Sequence, residues 1–175
     1  MSRTMAEARL PKRVDAVKLV EVNQRFQAKI DTESLTRLRE AVEDCEAIVE
    51  CDIEFMRDQE GHRVIQGSFS TRVSMVCQRC LGLVAIPINS HFELGLVFDD
   101  EQAKQLPRRL EPVEIEFEGL LDLWGVIEDE ILLSLPSFPT HAVNECHIKQ
   151  PEPETNNTDI KRPNPFDVLA KLKQK

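Results

Sequence analysis

Two cysteines separated by two residues, Cys77 and Cys80, carry the strongest chemical signal in this 175-residue sequence. They lie in Cys77-Gln78-Arg79-Cys80-Leu81-Gly82, between two segments of alternating hydrophobicity. A Cys-x-x-Cys turn can offer two thiolates to one metal ion, and the glycine after it lets the backbone fold beneath the sulfur atoms. Structural zinc is normally held by four protein ligands in a tetrahedron. The motif therefore supplies half of a structural zinc site.

A second pair of ligands, His141 and Cys146, lies about sixty residues downstream of Cys80, with His147 as an alternate. A fold that brings this proline-flanked loop to the cysteine turn would complete a zinc site. Four protein ligands leave no open position for water, so such a zinc ion would be structural. Two alternatives remain open: unconnected thiols in a turn, or a redox pair, which the lack of a βαβ context disfavours.

The five cysteines do not suggest a disulfide framework, because their number is odd and the chain is expected in the cytosol, where thiols stay reduced. Cys51 lies on the apolar side of an alternating segment, which predicts a small core residue. Cys45 has no evident role.

The run Glu128-Asp129-Glu130 is the other group with chemical potential, as a magnesium or acid–base site. Three adjacent helical residues point in three directions, so they cannot all converge on one ion. We therefore expect a solvated helix face rather than a nuclease centre. Phosphate-binding Gly-rich loops and hydrolase or metalloprotease motifs are absent from the sequence.

The net charge of −9 is unevenly distributed along the chain. Residues 1–30 and 161–175 each carry +4, whereas residues 93–130 carry −9. A protein that coats nucleic acid with one large basic face is excluded, but contacts of the basic ends with an anionic partner are not. The alternative is that the basic ends are ordinary solvated surface with no binding role. The candidate RNA- or partner-binding residues are Arg72, Arg79, Lys161, Arg162, Phe166, Lys171 and Lys173.

Periodicity predicts the elements that must position these residues. Helical spacing follows Asp31 through about Asp44, and alternation from about Ile48 to Phe98 indicates an antiparallel meander with Pro87 at an edge or bulge. Another strand follows near Val113, and Asp122 can cap a helix that ends before Pro136 and Pro139. One or two short strands are expected between residues 14 and 30.

These elements predict an α+β fold, with an antiparallel β meander or sheet, two or three helices and a C-terminal tail helix. The expected organisation is a basic flexible N-terminus (1–13), a core domain (14–149), a linker (150–163) and a basic helix or tail (164–175). With no apolar run long enough for a membrane helix and no signal-peptide pattern, we expect a cytoplasmic protein without a membrane partner.

The chain resembles the YceD family, bacterial proteins linked to accumulation of large-subunit ribosomal RNA. The resemblance covers nearly the whole chain and is clearest from Cys77 onward. It rests on the Cys-x-Arg-Cys turn, on Leu106-Pro107 with Glu111-Pro112-Val113-Glu114, on residues 126–136, on Pro139-Thr140-His141 with Cys146, and on residues 163–173 with the Asn-Pro-Phe segment.

The resemblance implies a non-enzymatic cytoplasmic factor in ribosome biogenesis, acting on synthesis, processing or stability of large-subunit (23S-type) rRNA. Its expected partners are that rRNA or its precursor particles. The alternative is a protein-binding adaptor whose acidic surface engages basic ribosomal proteins or an RNA-processing enzyme without touching RNA. The only cofactor expected is the structural zinc ion.

Overall fold

A computed structural model describes residues 10–142 and 144–146 of the chain. The predicted linker and tail helix, and most of the predicted flexible N-terminus, lie outside these residues. The described strands are β1 (Arg13–Asp15), β2 (Arg25–Asp31), β3 (Asp44–Cys45), β4 (Ile48–Arg57), β5 (Arg63–Val76), β6 (Leu83–Val97), β7 (Glu111–Glu114) and β8 (Leu120–Asp122). The described helices are α1 (Ala16–Glu21), α2 (Thr36–Ala41), α3 (Asp100–Gln105) and α4 (Leu123–Leu133), with a 3-10 turn at Thr32–Ser34.

The main sheet has the strand order β2-β4-β5-β6-β7, and β3 pairs with β5. All these pairs are antiparallel except β6 with β7, whose connection through α3 permits parallel pairing. The predicted α+β class and the predicted meander are confirmed, since β4, β5 and β6 are neighbours in both sequence and space. Among the described strands only β5 pairs with β6 at Pro87, so this proline lies at an edge as predicted.

One face of this sheet forms the core. Alternate residues of β4 are buried, and those between them are exposed or half-exposed; the buried ones are Val49, Cys51, Ile53 and Phe55. They belong to one cluster with Val20 of α1, Leu38 of α2 and Ile127 of α4. Helices α1, α2 and α4 therefore cover this apolar face. The other face is mostly polar, except at the end of β6, where Val64 and Val97 are buried and Leu106 packs over Gly95.

Short helices account for the differences from the sequence prediction. The structure has four α-helices in its described part rather than two or three, because α1 and α3 have six residues each, too few for a 3.6-residue period to be visible. The helix predicted from Asp31 is a 3-10 turn followed by the shorter α2, after which Val42 is extended. No helix in the described ranges is long and apolar enough to cross a membrane.

The start of α4 is fixed by its cap and by the N-terminal residues. Asp122 accepts the N–H of Gly125 at 3.1 Å, which confirms the predicted cap. The carbonyl of Lys12 accepts the N–H of Leu123 at 2.9 Å, and β1 pairs with β8. The ring N–H of Trp124 donates to the carbonyl of Leu10 at 3.1 Å. These contacts orient α4, whose C-terminal end leads to His141 and Cys146.

Candidate metal centre

The turn between β5 and β6 carries Cys77 and Cys80. The N–H of Cys77 donates to the carbonyl of Gly82 at 2.8 Å, and the N–H of Leu81 donates to the carbonyl of Cys77 at 2.9 Å. These two bonds close the turn, and the two sulfur atoms lie within 4.8 Å of each other. The Cys-x-x-Cys motif is thus placed at one end of a long hairpin, as its sequence context predicts.

The segment after α4 supplies the other half of the cluster. The carbonyl of Pro139 accepts the N–H of Gln78 at 2.8 Å and joins this segment to the cysteine turn. One ligand atom from each of four residues then lies within 4.8 Å of the others; the residues are Cys77, Cys80, His141 and Cys146. The structure therefore brings together all four sequence-predicted ligands. The alternate ligand His147 lies outside the described residues.

The ring of His141 is held in an orientation suited to metal binding. Its Nε2 atom lies 2.9 Å from the carbonyl oxygen of Leu83, and its Nδ1 atom lies 3.4 Å from the sulfur of Cys80. Because a carbonyl only accepts hydrogen bonds, this network assigns the hydrogen of the neutral ring to Nε2. Nδ1 then directs its lone pair toward the sulfur atoms, as in histidine ligands fixed by a second hydrogen bond.

The environment of Cys77 favours a thiolate. Burial by itself raises the pKa of this thiol, but N–H groups of Cys80, His141 and Arg79 directed at the sulfur lower the pKa to about 5. The backbone nitrogen of Arg79 lies 3.4 Å from the sulfur of Cys77. In the protonated ring, a hydrogen bond to the sulfur of Cys77 raises the pKa of His141, and metal binding would displace that proton. The thiolate is the form of cysteine that binds metals.

The donor set fits a tetrahedral zinc ion. Zinc–sulfur bonds of about 2.3 Å and zinc–nitrogen bonds of about 2.0 Å place the ligand atoms of a tetrahedral site about 3.5–3.8 Å apart. The observed 3.4 Å between Cys80 and His141 is close to that value. Cys77 is fully buried and Cys146 is 9% exposed, and they share a small cluster with Val84. The site is therefore closed on its inner side.

The backbone of the turn corrects one expectation. The residue with positive φ is Leu81, at 59°, and not the glycine that follows it. A Cβ atom on Gly82 would lie 3.6 Å from the sulfur of Cys80, an ordinary contact. The fold of the turn beneath the sulfur atoms therefore depends on a left-handed leucine, a conformation that costs energy because the Cβ atom crowds the following carbonyl oxygen.

The two other cysteines are not part of this cluster. Burial raises the pKa of Cys51 to about 12, so it remains a thiol inside the core, as predicted for a small core residue. Cys45 is half-buried and packs against the same core.

The candidate RNA-binding residues lie only partly within the described chain. Arg72 is exposed on β5, and its guanidinium lies 3.9 Å from the carboxylate of Glu46. Arg79 is half-buried in the cysteine turn and forms no ion pair with another described residue. The others lie beyond the described residues: Lys161, Arg162, Phe166, Lys171 and Lys173.

The expectation that Glu128 lies on a solvated helix face is wrong. Glu128 is 7% exposed, and one of its carboxylate oxygens accepts the N–H groups of Arg37 at 2.8 Å and Leu38 at 3.1 Å. Leu35, at the N-cap of α2, makes no side-chain capping bond, so the free N–H groups of the first turn need an outside acceptor. Asp129 pairs with the Arg37 guanidinium at 2.6 Å. Both carboxylates are therefore already bound by groups of α2, namely backbone N–H groups and the Arg37 guanidinium.

A third ionisable cluster was missed from the sequence. Asp58 accepts the backbone N–H groups of Glu60 and His62 and lies 2.9 Å from the His62 ring. Arg109, fifty-one residues away, reaches the same carboxylate at 2.5 Å. Burial alone would raise the pKa of Asp58, but the bonds from His62 and Arg109 hold it well below its usual range. Asp58-Gln59-Glu60-Gly61 has the composition of a turn, but no sequence pattern links it to Arg109.

Comparison with known proteins supplies a family. The family model described as "Large ribosomal RNA subunit accumulation protein YceD" matches residues 65–173, a range that contains all four residues of the metal cluster. A curated protein of Haemophilus influenzae with the same description is 32% identical over 177 residues, which cover 98% of this chain and 100% of that protein. No solved structure matches the chain.

Proposed function

The chain belongs to the YceD family, and from this premise we propose that it is a non-enzymatic cytoplasmic factor in ribosome biogenesis. It would support the synthesis, processing or stability of large-subunit rRNA. The observation that carries this proposal is the similarity over nearly the full length to a protein described by accumulation of that RNA.

The experiment is deletion of the gene in its own host. The amount of large-subunit rRNA should fall relative to small-subunit rRNA, and expression of the full chain should restore the ratio. An unchanged ratio in the deletion strain under all growth rates tested would contradict the proposal.

We further propose that Cys77, Cys80, His141 and Cys146 bind one structural zinc ion. Three thiolates and one imidazole are a donor set that zinc accepts, and the second hydrogen bond of His141 supports the assignment. When bound, zinc would join the end of the β5–β6 hairpin to the segment after α4. Because all four ligands come from the protein, no coordination position is left for catalysis.

Elemental analysis of purified protein tests this assignment. We expect about one zinc per chain in the wild type, and far less in Cys146→Ser. Cys45→Ser is the matched control, because it removes a half-buried cysteine outside the cluster and should leave the zinc content unchanged. Equal zinc content in wild type and Cys146→Ser would reject the site.

The same proposal assigns RNA contacts to basic residues of the chain. Arg79 supports this, since it lies in the turn of the metal cluster without an ion-pair partner among the described residues. Residues 161–175 carry a net charge of +4, which suits phosphate binding. The proposed contacts are Arg72, Arg79, Lys161, Arg162, Phe166, Lys171 and Lys173.

A second candidate function is that of a protein-binding adaptor. Phe117 is 97% exposed in the turn before β8 and is flanked by Glu116 and Glu118. An exposed aromatic residue between acids suits an apolar pocket with a basic rim. A basic ribosomal protein or an RNA-processing enzyme would offer such a surface, and the protein would then act without touching RNA.

Binding measurements separate the two candidates. If RNA is contacted directly, affinity for purified large-subunit rRNA should fall steeply with salt, and a Lys171→Ala/Lys173→Ala variant should bind more weakly. If the adaptor role holds, Phe117→Ala should weaken binding to basic ribosomal proteins and leave RNA binding unchanged. Full RNA affinity in the lysine variant would count against the tail as the contact.

A further inference from the structure

A groove opens between β7, at the edge of the sheet, and the C-terminal half of α4. Its volume is about 460 Å³, and its apolar lining includes Leu94, Val113, Val126 and Leu133. Leu133 at its rim is 74% exposed, whereas Leu94 and Val126 are buried, at 4% and 9%. The volume is in the range of sites that bind a ligand or a small set of side chains.

The groove also carries negative charge. Glu111 and Glu130 both line it. Glu130 is half-buried and pairs with no cation among the described residues, whereas its neighbour Asp129 is already bound to Arg37. Burial, together with the charges of Glu111 and Asp129, raises the pKa of Glu130. An occupant that combined apolar side chains with a cation would therefore suit this surface.

The C-terminal sequence has that combination. Residues 161–175 carry +4, and Phe166, Leu169 and Leu172 recur at the spacing of one helical face. Asn164-Pro165 is a helix-start signal, with a capping residue followed by proline at the first helical position. A helix of about ten residues is marginal alone in water, so this apolar stripe needs a surface to pack against.

The lengths are compatible. At 1.5 Å per residue, Phe166 to Leu172 would span about 9 Å, and Val126 to Leu133 spans about 10 Å. Cys146 lies beside Val84, ten residues along β6 from Leu94 in the groove, which is about 33 Å. The nineteen residues from Cys146 to Pro165 can extend to about 60 Å, which is enough to cover that distance.

We propose that the segment 164–173 docks in this groove of its own chain. Phe166, Leu169 and Leu172 would pack on the apolar lining, and Lys171 would lie near Glu130. Covalent attachment gives the segment a high effective concentration at the groove, so modest contacts suffice. The docking does not depend on the role in ribosome biogenesis, although RNA that binds the same lysines would compete with it.

Photo-crosslinking of the full chain tests this docking. The crosslinking residue p-benzoylphenylalanine is introduced at position 166, and isotopically heavy and light protein are mixed before irradiation. Crosslinks should map to β7 and the end of α4 within one copy. Leu133→Asp should lower the yield of these crosslinks by up to about tenfold. Glu130→Lys should lower it by about two- to fivefold.

Glu114→Lys is the matched control, since it reverses an exposed charge of β7 that does not line the groove. It should leave the yield unchanged, and Lys171→Glu should restore the yield in Glu130→Lys. Crosslinks between heavy and light copies, crosslinks elsewhere on the chain, or a yield insensitive to Leu133→Asp would each overturn the proposal. Ribosomal RNA levels in the deletion strain remain a separate readout of the proposed function.

Discussion

The cysteine cluster and the Glu128 cluster are both built from a short motif and a remote segment, but they differ in what neutralises them. Glu128 and Asp129 receive their cation, Arg37, and their N–H donors from α2 of the same chain. Cys77, Cys80, His141 and Cys146 present four donor atoms to one another, and the pKa of Cys77 is lowered by backbone N–H groups and by His141 rather than by a partner such as Arg37. The comparison teaches that an ionisable group indicates ligand binding when the chain itself leaves its charge unmatched.

If the cysteine cluster binds zinc as proposed, removal of the metal should produce the largest effect, because the Glu128 cluster needs no outside ion. Dialysis against a strong chelator should lower the melting temperature by about 10 °C, since zinc stabilises only the folded site. Differential scanning calorimetry before and after dialysis measures this shift, and added zinc should reverse it. The Glu128→Ala variant should show the same chelator-induced shift, because its defect lies elsewhere. If the chelator left the wild-type melting temperature unchanged, the cysteine cluster, like the Glu128 cluster, would need no outside ion.

Truncation of Glu128 should give the next largest effect. Glu128→Ala leaves the first turn of α2 without its acceptor and Arg37 without its buried partner, at a cost of about 2–4 kcal/mol in the free energy of unfolding. Urea unfolding measures this loss, with zinc content expected to be unchanged.

Asp129→Ala is the matched control on the same helix. It removes an exposed ion pair with Arg37, and such pairs contribute under about 1 kcal/mol. Equal losses in Glu128→Ala and Asp129→Ala would contradict the capping role of Glu128.

The sequence was sufficient for the cysteine cluster and insufficient for the Glu128 cluster, for physical reasons. Metal ligands are chemically distinctive, so Cys77, Cys80, His141 and Cys146 could be chosen by type and spacing alone. A carboxylate such as Glu128 has the same composition whether it is solvated or buried. Only the packing of α2 on α4 decides between these states, and that contact joins residues about ninety positions apart.

The same distinction applies to the fold. Alternation over residues 48–98 predicted the meander because each strand shows its own period. The parallel pairing of β7 and the helix α1 could not be predicted in this way, since four or six residues show little period. The left-handed conformation at Leu81 was missed because the adjacent glycine offered the more usual explanation for a tight turn.

The Asp58 cluster is a third test of the inference that an ionisable group indicates ligand binding when its charge is left unmatched. Asp58, Glu60 and His62 have donor atoms within 4.8 Å of one another, but Arg109 already pairs with Asp58. Asp58→Asn should therefore cost about 1–2 kcal/mol near neutral pH and change no metal content.

The pH dependence of that cost follows from the lowered pKa of Asp58. The unfolded-state pKa is about 3.9, so the stabilisation is fully present above that value and is lost as the pH falls through it towards the folded-state pKa. Urea unfolding at neutral pH and again at about pH 3 should show the difference between wild type and Asp58→Asn becoming smaller. A difference that grows on acidification would mean that the carboxylate is not the stabilised form.

The smallest effect should come from the backbone of the cysteine turn, where Leu81 and Leu83 flank Gly82 and are both exposed, at 77% and 64%. Leu81 has a φ of 59°, so Leu81→Gly should relieve strain and raise the free energy of unfolding by up to about 1 kcal/mol, less the entropy that glycine adds to the unfolded chain. Leu83 begins β6, so Leu83→Gly should instead lower it by about 0.5–1 kcal/mol. Opposite signs in urea unfolding of zinc-loaded protein would show that the turn geometry, and not the exposed leucine side chain, limits stability at this end of the hairpin. Two losses of equal size would mean that the metal cluster requires the Leu81 side chain for packing, and its left-handed backbone would then be a cost accepted for that contact.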